Sequence, residues 1–221
     1  MSSRRQRPSA IAELRDRDLI RLYWPTRLRP AFDALFAIDE AMGDVVALAT
    51  QPALAAIKLA WWRERLEDLD QGIVPAEPRL QVAARELLPQ GISGGDLAQL
   101  EESWALMLDS DDQNSFMRGV ASRGPALFAL AACLLGVAMD ELVEEAARSF
   151  AAADLGRRRI FDLAPLELGR SRNRAHRKAR PLTAFGALAR RDMRTGGPPF
   201  EPEATPARAL ALAWHRLTGR I

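Results

Sequence analysis

The stretch AFDALFAIDEAMGDVVAL, residues 31–48, decides the fold class. Phe32, Leu35, Phe36, Ile38, Ala41, Met42, Val45 and Val46 recur at spacings of three and four, the period that gathers side chains on one broad helical face. Working outward, PALAAIKLAWWRERLEDL at residues 52–69 predicts a second helix. Pro52 suits its first turn, where a missing N–H loses no partner. Leu54, Ile57, Ala60, Trp61 and Leu66 fall near alternate turns, and the helix stops near Gly72. Further helices fit residues 79–88, 93–108, 115–120, 125–135, 140–155, 172–190 and 205–218, with Ser93 placed to accept an orphan first-turn amide. Strand-like alternation is absent throughout. The expectation is all-α: a single-domain helical bundle over residues 10–221, behind a flexible tail at residues 1–9. The loop-like breaks at residues 71–78 and 195–206 are too short to mark a domain boundary.

At 221 residues and 48% hydrophobic, the chain can bury one sizeable core, which excludes disorder, collagen and a disulfide scaffold as whole-chain descriptions. Cys133 stands alone in an apolar run and reads as a small hydrophobe. The net charge of +2 is too small to announce nucleic-acid binding, and none is expected. Of the 31 basic residues only Lys58 and Lys178 are lysines, a chain-wide skew that reads as coding bias. The longest apolar run, Pro125–Met139, has 15 residues, short of the ~20 a transmembrane helix needs. Arg4, Arg5 and Arg7 precede no apolar segment of the secretory kind. The expected location is therefore cytoplasmic, or peripheral to the inner membrane if a basic face meets anionic lipid; no strongly amphipathic terminal helix is evident as an anchor.

Charge is nevertheless segregated. Residues 96–145 carry ten acids and two bases, whereas residues 157–180 carry nine bases and two acids. Such blocks steer anionic ligands or partner proteins, or simply solvate two helices. A protein partner on the 157–180 block is one expectation.

Two segments could carry chemistry. In AIDEAMGDVV, residues 37–46, Glu40 and Asp44 are i,i+4 and share a helix face, a like-charge pairing that a divalent cation would offset. The alternative is a solvated acidic stripe. In LAWWRERL, residues 59–66, adjacent tryptophans point about 100° apart, so at most one is central to the core.

Together, residues 25–68 resemble the N-terminal half of the squalene/phytoene synthase family, whose first Asp-rich helix is followed by a Trp-Trp-Arg-Glu helix. The similarity continues through RGPALFALAACLLG at 123–136 and ARALALAWHRLTGR at 207–220. The resemblance implies an isoprenoid-synthase type of helical fold, in which two Asp-rich helices bind Mg²⁺ and the diphosphates of two allylic substrates joined head to head. Gly43, Asp44 and Ala47 fall at the three aspartate positions of the first motif, so only Asp44 survives. The second motif should follow Leu155-Gly156, where Asp162 is present and Leu166 stands in place of its partner. This sequence is more similar to a divergent branch with eroded motifs, which includes a mitochondrial complex I assembly factor.

The resemblance thus implies a lipid-binding or assembly module without efficient prenyl transfer. The alternative is an active Mg²⁺-dependent prenyltransferase acting on farnesyl or geranylgeranyl diphosphate. No cofactor is expected for the first, and Mg²⁺ for the second. Candidate catalytic residues are Asp44, Glu64 and Asp162, and candidate metal ligands are Glu40, Asp44 and Asp162. Candidate contacts to an isoprenoid or other lipid are Trp61, Trp62, Arg63 and the run Arg157, Arg158 and Arg159, whose guanidiniums suit phosphate. The Asp109–Asn114 segment begins like a calcium loop but has Asn114 where glycine is required, and the isolated His176 and His215 do not suggest zinc.

Overall fold

Phe32, Leu35, Ile38 and Met42 lie on one stripe and are fully buried, so the periodicity that predicts the first long helix also gives its inward face. The computed structural model describes residues 14–108, 112–160, 174–194 and 198–221; the expected tail, Asp162 and the interior of the basic block lie outside these. Every regular element among the described residues is helical: α1 (Asp16–Arg21), α2 (Arg29–Ala47), α3 (Pro52–Leu69), α4 (Pro78–Glu86), α5 (Gly94–Ala98), α6 (Leu100–Ala105), α7 (Gln113–Leu135), α8 (Glu141–Arg157), α9 (Arg180–Arg194) and α10 (Pro206–Thr218). Proline occupies the first turn of α2, α3, α4 and α10. Ser93 caps α5 in a reciprocal capping box with Asp96.

The helices differ from expectation in several places; the one expected at 172–190 begins at Arg180 and runs to Arg194. The helices expected at 115–120 and 125–135 are one, α7, with Pro125 inside it. The carbonyl left without a donor belongs to Ala121, which is exposed and open to water. The helix expected from residue 93 to 108 is interrupted at Gln99, which keeps right-handed helical torsions. On α3 the expected face is rotated: Ala55, Leu59, Trp62, Leu66 and Leu69 are buried, while Leu54, Ile57 and Trp61 point outward. The alternating four–three spacing of the buried set makes a continuous seam; the other stripe is as apolar only in the first half of the helix. Cys133 also faces outward on α7, so it is not a core hydrophobe.

Helix α8 packs chiefly against α7 and α9, α3 packs on α5 and α6, and α2 meets α4 and α7. Among the described residues no helix is long and apolar enough to cross a membrane. The seams around α8 depend on missing side chains. A β-carbon on Gly124 would sit 2.1 Å from the Ala147 carbonyl oxygen, and one on Gly186 would sit 2.7 Å from the Ala146 β-carbon. Alanine and glycine therefore bring three backbones together where larger residues would hold them apart.

This close approach has a measurable consequence. Gly124→Ala should lower unfolding stability by at least ~1–3 kcal/mol, because α7 must move off α8. Gly95→Ala, whose β-carbon would meet nothing nearer than 3.5 Å, should be neutral or slightly stabilising. Equal denaturant midpoints for both variants would show that α7 and α8 do not pack at this distance.

Candidate functional site

Charges buried on the inward faces of the helices locate the site. Arg123 of α7 is 1% exposed and Asp39 of α2 is 3% exposed. Removing such groups from water is expensive unless each finds a partner. The Arg123 Nη2 lies 2.6 Å from Asp39 Oδ2 and 2.8 Å from Asp154 Oδ2 on α8. Trp104 of α6 donates its Nε1–H to Asp39 Oδ1 at 3.0 Å, and the Arg123 guanidinium stacks 4.2 Å from the Trp104 ring. The Nη1 of Arg123 makes no hydrogen bond, so that stacking offsets part of its desolvation. Four helices are thereby joined at one charge cluster.

Outside this cluster lies a second arginine. Arg158 Nη1 donates to Asp44 Oδ1 at 2.8 Å, and its Nε donates to Asp154 Oδ2 at 3.0 Å. The guanidinium lies against Gly43, where a β-carbon would stand 3.0 Å from its Cζ. Glu40 accepts hydrogen bonds from Arg15 and Arg17. On the other side, Arg157 forms a forked pair with Asp192 at 2.8 and 3.0 Å and also donates to the Glu201 carbonyl. Buried Arg208 of α10 bridges Asp16 and Asp192.

These groups surround a cavity of about 370 Å³, within the size range of small-molecule sites. Its apolar lining is Phe36, Phe150 and Phe185 with Ile20, Leu188 and Ala153. The Phe36 and Phe185 rings stack with centroids 5.1 Å apart, and Phe150 meets Phe185 edge-on at 4.9 Å. Five of the eight phenylalanines form this continuous aromatic group, with Phe32 and Phe128 behind the three that line the cavity. The polar lining comprises six arginines and seven carboxyl groups, so it holds no net positive charge.

Titration follows from these contacts. Burial works against an ionised Asp154, yet Arg123 and Arg158 hold its carboxyl below the usual aspartate value. Glu40 is likewise opposed by burial and brought below its usual value by Arg17 and Arg15. Arg158 loses hydration on burial, but Asp154 and Asp44 raise its pKa and keep it charged.

Of the residues singled out in the sequence, Glu40, Asp44, Arg157 and Arg158 line the cavity. Trp61, Trp62, Arg63, Glu64 and Arg159 do not. Trp61 is exposed on the outer face of α3 and Trp62 is buried beneath it. Arg63 lies 3.7 Å from Glu101 in a separate groove, and Glu64 is largely exposed beside Arg65. Arg159 is exposed in a left-handed turn beyond the end of α8. Asp162 lies outside the described residues. The acidic segment of α2 is only partly a solvated stripe: Asp39 is buried, Glu40 is partly buried, Asp44 stays 54% exposed, and each binds arginine. Asp39, Trp104, Arg123 and Asp154 complete the site, although the sequence reading assigned them no role. The available signal was a charge at the edge of an apolar run: Arg123 before the apolar half of α7 and Asp154 after three alanines in α8.

The donors around the mouth do not suit Mg²⁺. The carboxylates of Glu40, Asp44 and Asp154 already accept from guanidinium groups, and among the described residues no group of three acidic, histidine or cysteine side chains is placed to hold a metal ion. Comparison with family models, curated proteins and solved structures found no match.

Two measurements test the charge cluster. Asp39→Asn leaves Arg123 buried with a diminished countercharge and should cost about 3 kcal/mol in chemical denaturation. A change below ~0.5 kcal/mol would show that the pair is not buried in solution. Acid provides the second. Depressed folded-state values for Asp154 and Glu40 mean that both groups add stability above their usual values of 3.8 and 4.5. That stability is lost as pH falls through the lower folded-state values, because the unfolded chain takes up protons first. Asp154→Asn should flatten the stability–pH curve below about pH 4; an unchanged slope would mean that Asp154 is not held by its arginines.

Proposed function

We propose that this chain is a divergent relative of the squalene/phytoene synthases, with a helical shell of the isoprenoid-synthase type. It binds an isoprenoid or similar long-chain lipid without joining prenyl groups. The observation that carries this reading is the Arg158 guanidinium lying against Gly43 and bridging Asp44 to Asp154. In the resemblance, Gly43 and Asp44 occupy aspartate positions of the first motif, and Asp154 lies just before the Leu155-Gly156 pair that the second motif should follow. An arginine beside the first-motif positions supports a site without a metal, and no step through a metal follows from these residues.

The cavity behind that bridge supports the choice of ligand. Its phenylalanine and leucine lining offers an apolar chain a surface from which water gains little by remaining. A diphosphate would have to displace carboxylates from Arg157 or Arg158, and seven carboxyl groups face it against six arginines. Arginine clamps on phosphate need free forks. The geometry therefore favours a chain with an uncharged or hydrogen-bonding head over a diphosphate ester.

Titration of the purified chain with farnesol and with farnesyl diphosphate, each with and without Mg²⁺, tests this reading. Farnesol should bind saturably, farnesyl diphosphate no more tightly, and no diphosphate should be released. Ala153→Trp, which fills the cavity from α8, should weaken farnesol binding at least about tenfold. Diphosphate release that disappears in Asp44→Ala would establish the active prenyltransferase instead. Farnesol binding indifferent to Ala153→Trp would remove the cavity from consideration.

A further inference from the structure

The outer face of α10 is apolar although it packs on nothing among the described residues. Leu210, Trp214 and Leu217 lie at i, i+4 and i+7 and are 73%, 60% and 78% exposed. Pro206, Ala207 and Ala213 continue the same exposed face. The opposite side of the helix supplies Leu212 and His215 to the interior, so the outward stripe is not needed for folding.

Charge at the C-terminal end of this stripe has one sign, whereas Glu201 and Glu203 lie near its start. Helices α9 and α10 run antiparallel: Arg208 near the start of α10 meets Asp192 near the end of α9, while Arg180 at the start of α9 donates to the Arg216 carbonyl near the end of α10. The turn before α9 is tied to the end of α10 by the Ala175 amide donating to the Gly219 carbonyl at 2.8 Å. Exposed Arg174, Arg177 and Lys178 on that turn therefore join exposed Arg216 and Arg220 at one end of the apolar stripe. No aspartate or glutamate occurs in residues 174–191 or 204–221. Arg177 and Lys178 also precede the positive end of the α9 dipole, where an anion is favoured and a cation is not. The cations thus gain nothing from the helix they precede, and they point to an anionic occupant outside the chain.

We propose that the α10 face, with its arginine and lysine border, docks on an anionic lipid bilayer surface. Trp214 and the two leucines enter the headgroup boundary, while Arg174, Arg177, Lys178, Arg216 and Arg220 contact lipid phosphates. This is the arrangement of an interfacial helix: an apolar stripe containing tryptophan, bordered by cations that reach for anionic headgroups. A second copy of the chain packed with its α10 parallel would place each border of cations against its twin, whereas an anionic bilayer surface accepts the stripe and its border together. The proposal does not depend on what occupies the cavity.

Flotation of the full chain with phosphatidylcholine vesicles, and with the same vesicles containing phosphatidylglycerol, is the test. Binding should require phosphatidylglycerol and should weaken as salt screens the attraction. The pair Leu210→Ser and Leu217→Ser alters only exposed side chains and should reduce the bound fraction by at least about tenfold. Arg216→Gln with Arg220→Gln should shift binding to a higher proportion of phosphatidylglycerol. Trp61→Ser, on the unrelated apolar stripe of α3, should leave binding unchanged. The idea fails if the chain does not float with anionic vesicles, or if it floats equally well in the leucine double variant. It also fails if Trp61→Ser is the change that releases it. A solution dimer that dissociates in the leucine double variant, seen by light scattering, would assign the face to a second copy instead.

Discussion

Arg123 must remain charged in a place that water does not reach, and much of the helical arrangement follows from satisfying it. Its two carboxylates come from α2 and α8, and the ring beneath it from α6. A helix bundle held only by leucine and alanine tolerates sliding, because apolar contact is non-directional. An ion pair with forked geometry does not, because displacement by an ångström leaves a buried charge exposed to a low-dielectric surrounding. The alanine and glycine seams of α8 set how closely the helices approach, and Arg123 fixes their relative height. Asp154 belongs to both the interior cluster and the rim, since it accepts from Arg123 and Arg158 together. Architecture and cavity therefore share one residue.

Helix content was legible from periodicity because α2 presents an unmistakable apolar stripe, and α8 and α10 are bounded by Asp140 and Thr205, which cap them as their residue types suggest. The orientation of α3 was not legible, since two neighbouring stripes are comparably apolar over its first half and only tertiary packing chooses between them. Pro125 misled for a related reason. Local propensity favours a break there, while the close packing of Gly124 on α8 holds one helix through the position. The site was partly legible: Glu40 and Asp44 stood out as charges sharing one face. Arg158 stood out too, in a basic run, but its pairing with Asp44 did not, because the two lie 114 residues apart and pairing across that distance leaves no spacing rule in the sequence. The tryptophan pair was conspicuous but belongs to the outer helix layer, where Trp62 fills the seam and Trp61 covers it.

At the mouth, Gly43 and the Arg158 guanidinium constrain one another. A side chain at position 43 would meet the Arg158 guanidinium and the edge of Trp104, each 3.0 Å from a β-carbon there. An aspartate at that point could not coexist with Arg158 in its present place. Conversely, with Gly43 and Asp44 as they stand, two carboxylates facing across the cavity would repel unless a cation lay between them. Arg158 is that cation. Unlike a metal it has no open coordination position, and its hydrogen bonds to Asp44 and Asp154 are directed into the protein rather than toward a leaving group. A positive charge is therefore fixed between α2 and α8 by hydrogen bonds that point into the protein, and the apolar cavity behind it has a charge-balanced mouth.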